Sequence, residues 1–234
     1  MEVTTLRPSP KRAFKNASYG QLARIGKALS SPKRLELVDP LCQAERTVEE
    51  LARETDMSVA NTSQHLQALE AARLVQACKN GRYVVYSLAD AVVSDFYRAY
   101  RVLAEDRLAE IEQIRGRFFQ EQKGLSPVDR ETLMQRVKAR EVVVIDVRPA
   151  AEYLNGHVAG ALGIPLEQLE QSLDNLPRDT DIVAYCRGPY CVLAATAVGL
   201  MRARGFNAFS LDASIDDFRA YGLDLAKVSE QPNV

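Results

Sequence analysis

The sequence predicts two domains: a mainly α domain carrying one β-hairpin, followed by an α/β domain whose parallel sheet is flanked by helices. Three observations predict it. Residues 19–122 place apolar side chains at helical spacing, interrupted by two alternating runs around an Asn80-Gly81 turn. Beyond Lys123–Pro127 come two short, continuous apolar runs, Val142–Arg148 and Ile182–Tyr185, the second leading into an Ala/Leu/Val-rich helical stretch, Val192–Arg204. The 234 residues are 47% hydrophobic and 26% charged, a globular composition with room for two domains.

Residues 1–18, with Lys11, Arg12 and Lys15 close together and little apolar periodicity, read as a loose arm. Leu22, Ile25 and Leu29 mark a first helix over 19–30. Ser31-Pro32 starts a second, and Asp39-Pro40 predicts a kink or an early stop within it. Thr47-Val48-Glu49-Glu50 is a capping box opening a short third helix. Ser58 caps a fourth, Val59–Ala72, with Leu66 and Leu69 inward. Strands at Leu74–Cys78 and Tyr83–Leu88 follow, then one long helix, Ala89–Gln122, striped by Val93, Phe96, Tyr100, Leu103, Leu108, Ile111, Ile114 and Phe118. The expected organisation is an arm (1–18), a first domain (19–122), a linker (123–128), a second domain (129–228) and a tail (229–234).

The charge is uneven. Residues 1–124 hold 19 Lys and Arg against 16 Asp and Glu, and residues 125–234 hold 11 against 15. The mildly basic first half permits a nucleic-acid partner. No apolar run approaches membrane-spanning length and no signal-peptide core opens the chain, so no membrane partner is expected. Four cysteines without a dense framework point to a reducing cytoplasm.

The first-domain order of helices and hairpin is that of a winged helix-turn-helix. Leu51-Ala52, Ser58, Ser63-Gln64-His65-Leu66, Leu69, Gly81-Arg82 and Tyr86 resemble the ArsR/SmtB family of bacterial repressors over residues 18–120. That resemblance implies a homodimer formed through the first and last helices, bound to double-stranded operator DNA. Ser58, Asn61, Thr62, Ser63, Gln64 and His65 are the candidate base- and phosphate-reading face of the fourth helix, and Lys79 and Arg82 the wing contacts. His65 is equally suited to packing. Metal sensing, the best-known task of that family, finds poor material here. The two histidines, His65 and His157, lie in different domains, and no metal or cofactor is expected. Cys42 and Cys78 read as small buried fillers, with a thiol switch between them as the alternative.

The second domain carries the chemistry. Asp181–Val192 reads DIVAYCRGPYCV: a strand ending at Cys186, a tight loop, and a helix start. Loop amides and the helix N-terminus directed at one sulfur predict a lowered pKa and a nucleophilic thiol. Together with Val142–Arg148, Glu152 and Gly156–Ala161, this loop resembles the single-domain rhodaneses, over about the last hundred residues. The resemblance implies a sulfurtransferase-type loop in which Cys186 carries sulfane sulfur as a persulfide and Arg187, Gly188, Pro189, Tyr190 and Cys191 cradle the anion. Its six residues match the rhodanese loop, whereas the related phosphatases and arsenate reductases use one more residue and end in Arg. The loop departs from the usual pattern, with Gly188 third, Pro189 fourth and Cys191 sixth, and Asp212-Ala213-Ser214 and Phe218 stand where Gly-Gly and Trp are common. These departures weigh against ordinary thiosulfate turnover. Asp146 and Arg148 are expected to pair as a brace for the loop, and His157 to be a hydrogen-bonded turn histidine. Cys191 is either a small residue fitting a crowded helix start or a thiol that resolves a persulfide on Cys186.

The sequence therefore predicts a dimeric DNA-binding regulator whose second domain senses or transfers reactive sulfur — persulfide, polysulfide or thiosulfate — through Cys186. One alternative is a working sulfurtransferase that uses its DNA-binding domain for localisation or autoregulation. Another is an inert rhodanese used for docking.

Overall fold

The computed structural model describes residues 9–121 and 130–227. The expected linker 123–128, the tail 229–234 and residues 1–8 of the expected arm lie outside the described residues. The chain divides into two units, Met1–Ser94 and Asp95–Val234.

The first unit begins with α1 (Pro10–Leu29). Residues 10–18, expected as a loose arm, are helical. Ser9 caps the helix by accepting from Arg12 N, and Pro10 sits in the first turn, where its missing N–H costs nothing. Next come α2 (Pro32–Leu41), β1 (Arg46–Thr47), α3 (Val48–Glu54) and α4 (Val59–Ala71). α2 runs through Pro40 and stops one residue later. Thr47 and Glu50 form the predicted capping box, and Ser58 the predicted cap. Leu37, Leu51, Leu66 and Leu69 are wholly buried and hold α2, α3 and α4 on one core.

β2 (Val75–Asn80) and β3 (Tyr83–Leu88) form the hairpin, with Val75 opposite Leu88 and Asn80 opposite Tyr83. The turn is Gly81-Arg82, and Gly81 has φ +60°, a conformation costly for any residue with a Cβ. β1 adds a third, antiparallel strand beside β3, an element too short to show in the sequence pattern.

The expected single helix over 89–122 is two helices, α5 (Ala91–Arg107) and α6 (Ala109–Glu121), meeting at Leu108. The charges around the junction favour both ends. Arg107 lies in the last turn of α5 and Glu110 and Glu112 in the first turn of α6, each opposite in sign to the helix dipole it meets. The division into units falls inside α5, so α6 and most of α5 belong with the α/β unit, not with the first domain as the sequence suggested. Ion pairs account for this. Arg101 makes two 2.7 Å bonds to Asp217, and Arg115 bonds Asp212 at 2.8 Å.

The second unit continues through α7 (Arg130–Lys138), β4 (Val143–Asp146), α8 (Ala150–Asn155), β5 (His157–Val158), β6 (Leu162–Gly163), α9 (Leu166–Ser172), β7 (Ile182–Tyr185), α10 (Leu193–Ala203), β8 (Ala208–Leu211), α11 (Ile215–Ala220) and β9 (Leu225–Ala226). Four parallel strands lie in the order β6-β4-β7-β8, and β5 pairs antiparallel with β9. β7 is buried along its whole length, as its unbroken apolar run requires in a sheet covered on both faces. Its side chains alternate between two cores. Ile182, Ala184 and Cys186 pack with Leu169, Val198 and Met201, while Val183 and Tyr185 pack with Leu133, Met134 and Phe218. Cys186 thus ends the central strand with its side chain in the core layer that contains α9 and α10.

Candidate functional site

On α4, Ser58, Asn61 and Gln64 are exposed and Ser63 and His65 half-buried, so these five share the accessible part of the helix. Ser58 Oγ is used in the cap, accepting from Asn61 N at 3.2 Å. Thr62 does not join them. It is wholly buried, and its hydroxyl donates back to Ser58 O at 3.0 Å. Thr62 lies about one helical turn from Leu66 and two from Leu69, which puts all three on the core side. At the wing, Lys79 is exposed, and Arg82 lies over the Tyr83 ring at 4.8 Å and donates to its hydroxyl at 2.6 Å. Cys78, expected to be a buried filler, is exposed on β2 because the strand turns only Val75 inward. Cys42 is half-buried, and all four cysteines are free thiols.

The loop Cys186–Cys191 is built from the core outward. Gly188 has φ +140°, and a Cβ there would meet the Ser214 side chain at 3.5 Å, so this position calls for glycine on conformational grounds. Cys191 N donates to Gly188 O at 3.1 Å and closes the turn. The Cys186 thiol points to Cys191 O at 3.4 Å, with Gly188 O 4.0 Å away. Only 1% of Cys186 is exposed.

Its ionisation runs against the expectation of an acidic thiol. Burial pushes Cys186 well up, the neighbouring Cys191 thiol adds to the rise, and the amides of Ala194 and Gly188 offset only part of it. Cys191 takes the negative charge instead. Its pKa falls to about 7, chiefly through the hydrogen bond from Cys186, aided by the Arg187 and Leu193 amides and the Arg187 charge, with burial opposing. One shared proton explains both directions: it stays on the deeper sulfur, and the half-buried sulfur becomes the thiolate.

The Arg187 amide serves the Cys191 sulfur, and its guanidinium forks onto Glu152, with Nη2 to Oε1 at 2.6 Å and Nε to the two oxygens at 3.0 and 3.1 Å. Glu152 is wholly buried on α8 and also stands 3.9 Å from Arg148. The bidentate geometry is what a guanidinium and a carboxylate favour when water is excluded. Arg187 therefore anchors the loop and acts on the thiols through its charge. Asp146 and Arg148 pair as predicted, with Nη2 to Oδ2 at 2.5 Å and Nε to Oδ1 at 2.9 Å. Tyr185 completes that brace. Its hydroxyl donates to Asp146 at 2.6 Å and accepts from Val158 N at 3.1 Å. Glu152 stood in the sequence as a family motif position without a role, and Tyr185 only as the end of an apolar run. His157 is hydrogen-bonded as expected but lies in β5 and not in a turn, stacked on Tyr153 at 3.8 Å with Nδ1 2.8 Å from Tyr153 O.

Pro189 is buried, and Tyr190 and Cys191 face α6. Tyr190 donates to Glu105 at 3.0 Å, and burial together with that carboxylate pushes the phenol up to about 12. A cavity of about 210 Å³ lies here, lined by Ile114, Arg115 and Phe118 of α6 and by Pro189 to Val192 of the loop. Among the described residues, no cluster of three or more His, Cys, Asp or Glu side chains could hold a metal.

Comparison with known proteins agrees with this anatomy. A rhodanese-like domain matches residues 129–221, and the bacterial regulatory protein arsR family matches residues 31–77. The HTH-type transcriptional regulator Rv0324 of Mycobacterium tuberculosis is 38% identical over 209 residues, spanning 89% of this chain and 92% of that protein. A sulfurtransferase of Allochromatium vinosum is 34% identical over 64 residues, 27% of this chain and 60% of that one. Among solved structures, the homodimeric winged helix-turn-helix fragment Mb0332 of Mycobacterium bovis is 36% identical, covers 44% of this chain and 94% of its own, and has a TM-score of 0.40.

Proposed function

Because the chain belongs to the ArsR family of bacterial transcriptional regulators and carries a C-terminal rhodanese-like domain, we propose that sulfane sulfur arriving at the Cys186–Cys191 loop sets its affinity for operator DNA. The observation that carries this reading is the thiol pair itself: two free cysteines, Cys186 just after β7 and Cys191 just before α10, at the two ends of a loop fixed by the Arg187–Glu152 fork. Such a pair can take up sulfur at one thiol and resolve it at the other.

Asn61, Ser63, Gln64 and His65 would read base edges in the major groove, and Lys79 and Arg82 would meet phosphate. The protein would act as a homodimer. Phe96, Tyr100 and Leu103 leave 45%, 40% and 57% of their surface exposed along α5, an apolar stripe suited to a twofold mate. Its place of action would be the cytoplasm, where DNA is present and thiols stay reduced. Transfer of sulfur onward as an enzyme is the second reading, favoured by the likeness to the A. vinosum sulfurtransferase. The burial of Cys186 and the engagement of Arg187 weigh against thiosulfate as its donor.

The test is a DNA-binding titration of the reduced protein against the same protein treated with polysulfide, for the parent and for Cys186→Ser. A sulfur-dependent change in affinity that Cys186→Ser abolishes is the expected result. A Cys186→Ser protein that still responds fully would move sensing to Cys191, Cys42 or Cys78, which the same substitution at each of them separates.

A further inference from the structure

We propose that Cys191, not Cys186, is the thiol at which sulfur enters, and that its donor is an organic persulfide whose apolar body occupies the cavity between α6 and the loop. This rests on the sulfur reading above and assigns its site of entry and class of substrate.

Access comes first. Cys186 is sealed in the core, whereas Cys191 is half-buried and forms part of the cavity wall. A donor sitting there meets Cys191 before it can meet Cys186.

The wall then selects the donor. Ile114, Phe118, Pro189 and Val192 make it apolar. Its one cation among the described residues is Arg115, whose guanidinium is balanced by Glu112 at 3.0 Å and Asp212 at 2.8 Å. A thiosulfate dianion would find no net positive charge there. Arg115 Nε is buried and has no hydrogen-bond partner, which leaves one donor for a single anionic sulfur. At about 210 Å³, and open to solvent along Ile114, Tyr190 and Val192, the cavity has room for an aryl or short alkyl body with its two sulfurs.

Ionisation agrees with access. The hydrogen bond from Cys186 lowers the Cys191 thiol to about 7, while burial raises Cys186, so the thiol on the cavity wall is the more acidic of the two.

The chemistry balances without an outside oxidant. The Cys191 thiolate attacks the outer sulfur of R–S–SH. A Cys191–S bond forms, the donor's S–S bond breaks, and its electron pair leaves with RS⁻. The Cys186 sulfur then attacks that outer sulfur, and its thiol proton passes to the departing Cys191 sulfur. The products are Cys186–S–SH and Cys191–SH, so the sulfane sulfur has moved inward with no net oxidation.

Full-length protein is mixed with benzyl persulfide, quenched at intervals, alkylated, digested and weighed at each cysteine. The mass gain should appear on Cys191 before Cys186. Cys186→Ser should retain the added sulfur on Cys191, and Cys191→Ser should slow charging of Cys186 by about tenfold or more, since a buried, protonated thiol must then attack directly. Ile114→Asp, at a position 67% exposed and so harmless to folding, should slow charging by benzyl persulfide but not by inorganic disulfide (Na₂S₂). Charging of Cys186 at the parent rate in Cys191→Ser would overturn entry through Cys191. An Ile114→Asp protein indistinguishable from the parent toward benzyl persulfide would overturn the assigned donor. Sulfur on neither cysteine would remove the sulfur reading as a whole, whereas charging that leaves DNA affinity unchanged would remove only the regulatory reading.

Discussion

Removing the Cys186 thiol should make Cys191 a weaker acid. The hydrogen bond from Cys186 is the largest cause of the fall of Cys191 to about 7, ahead of the Arg187 and Leu193 amides. A hydrogen bond to a charged group contributes roughly 1.5–3 kcal/mol, and one pKa unit corresponds to about 1.4 kcal/mol. Cys186→Ala should therefore move the Cys191 midpoint up by about 1–2 units, close to that of an ordinary thiol. Cys186→Ser keeps a hydroxyl donor at the same place and should give a smaller shift.

The assay is alkylation by iodoacetamide from pH 5 to 10, read by mass at each cysteine-containing peptide. The midpoint is the measure to use, because the rate at one pH understates the change. A shift of about 1.5 units lowers the thiolate fraction at pH 7 by roughly fifteenfold, but the more basic thiolate is several-fold more nucleophilic, so the rate drops only about threefold. A Cys191 midpoint that stays within a few tenths of a unit in Cys186→Ala would refute the shared proton. So would Cys186 alkylating ahead of Cys191 in the parent.

Three further outcomes follow from the geometry. Ser63→Ala with Gln64→Ala should weaken operator binding by roughly 1–3 kcal/mol and relax base preference, whereas Arg82→Ala should weaken binding to every sequence and reduce the salt slope by about 1, both read by anisotropy titrations at several salt concentrations. Leu103→Glu, placing a charge on the exposed stripe of α5, should shift the protein toward monomer in light scattering; an unchanged mass would move the dimer contact elsewhere. Glu152→Gln should leave Arg187 without its buried anion, while Arg148 keeps Asp146; breaking such a pair costs roughly 3–5 kcal/mol, less here because Arg187 is 14% exposed and can reach water, so a calorimetric Tm drop of about 5–10 °C is expected, and a drop under about 2 °C would mean the fork is not structural.

The features legible in the sequence are those set by neighbours along the chain. The Thr47–Glu50 box, the Ser58 cap, the turn at Gly81 and the strand–loop–helix around Cys186 each involve residues within a few positions of one another. The features that the sequence did not show depend on distant partners. The Arg187 guanidinium is held by Glu152, 35 residues earlier and buried beside it. α5 packs with the α/β unit because Arg101 finds Asp217, 116 residues later. The helix-end argument for an acidic Cys186 correctly placed amides near its sulfur, but local sequence does not show how deeply a strand end is buried, and burial outweighed them. Thr62 lies one turn before Leu66, a position that could have marked it as inward-facing; its polarity suggested otherwise, and the Ser58 carbonyl satisfies that polarity from within the helix.

The same long-range contacts bear on how a sulfur atom at the loop could be felt elsewhere. Glu105 on α5 accepts from Tyr190 in the loop and from Arg101 at 3.2 Å. Arg101 holds Asp217, and Asp217 in turn accepts from Ser214 Oγ at 2.8 Å and from Ser214 N at 2.9 Å. Ser214 lies against Gly188. The loop is thus tied to α5 at Tyr190 and backed at Gly188 by a residue tied to the same helix. In the proposed regulator an added sulfur at Cys186 would enter a packed core and bring charge where burial disfavours it, and these contacts are where the loop would give way. The Tyr190–Glu105 bond, with Tyr190 47% exposed, is worth about 1 kcal/mol or less after solvent screening, so it supplies only the lower end of the roughly 1–3 kcal/mol that a useful allosteric coupling requires. In the proposed regulator, α5 therefore carries both the exposed stripe suited to a dimer and the acceptor that holds the sulfur loop.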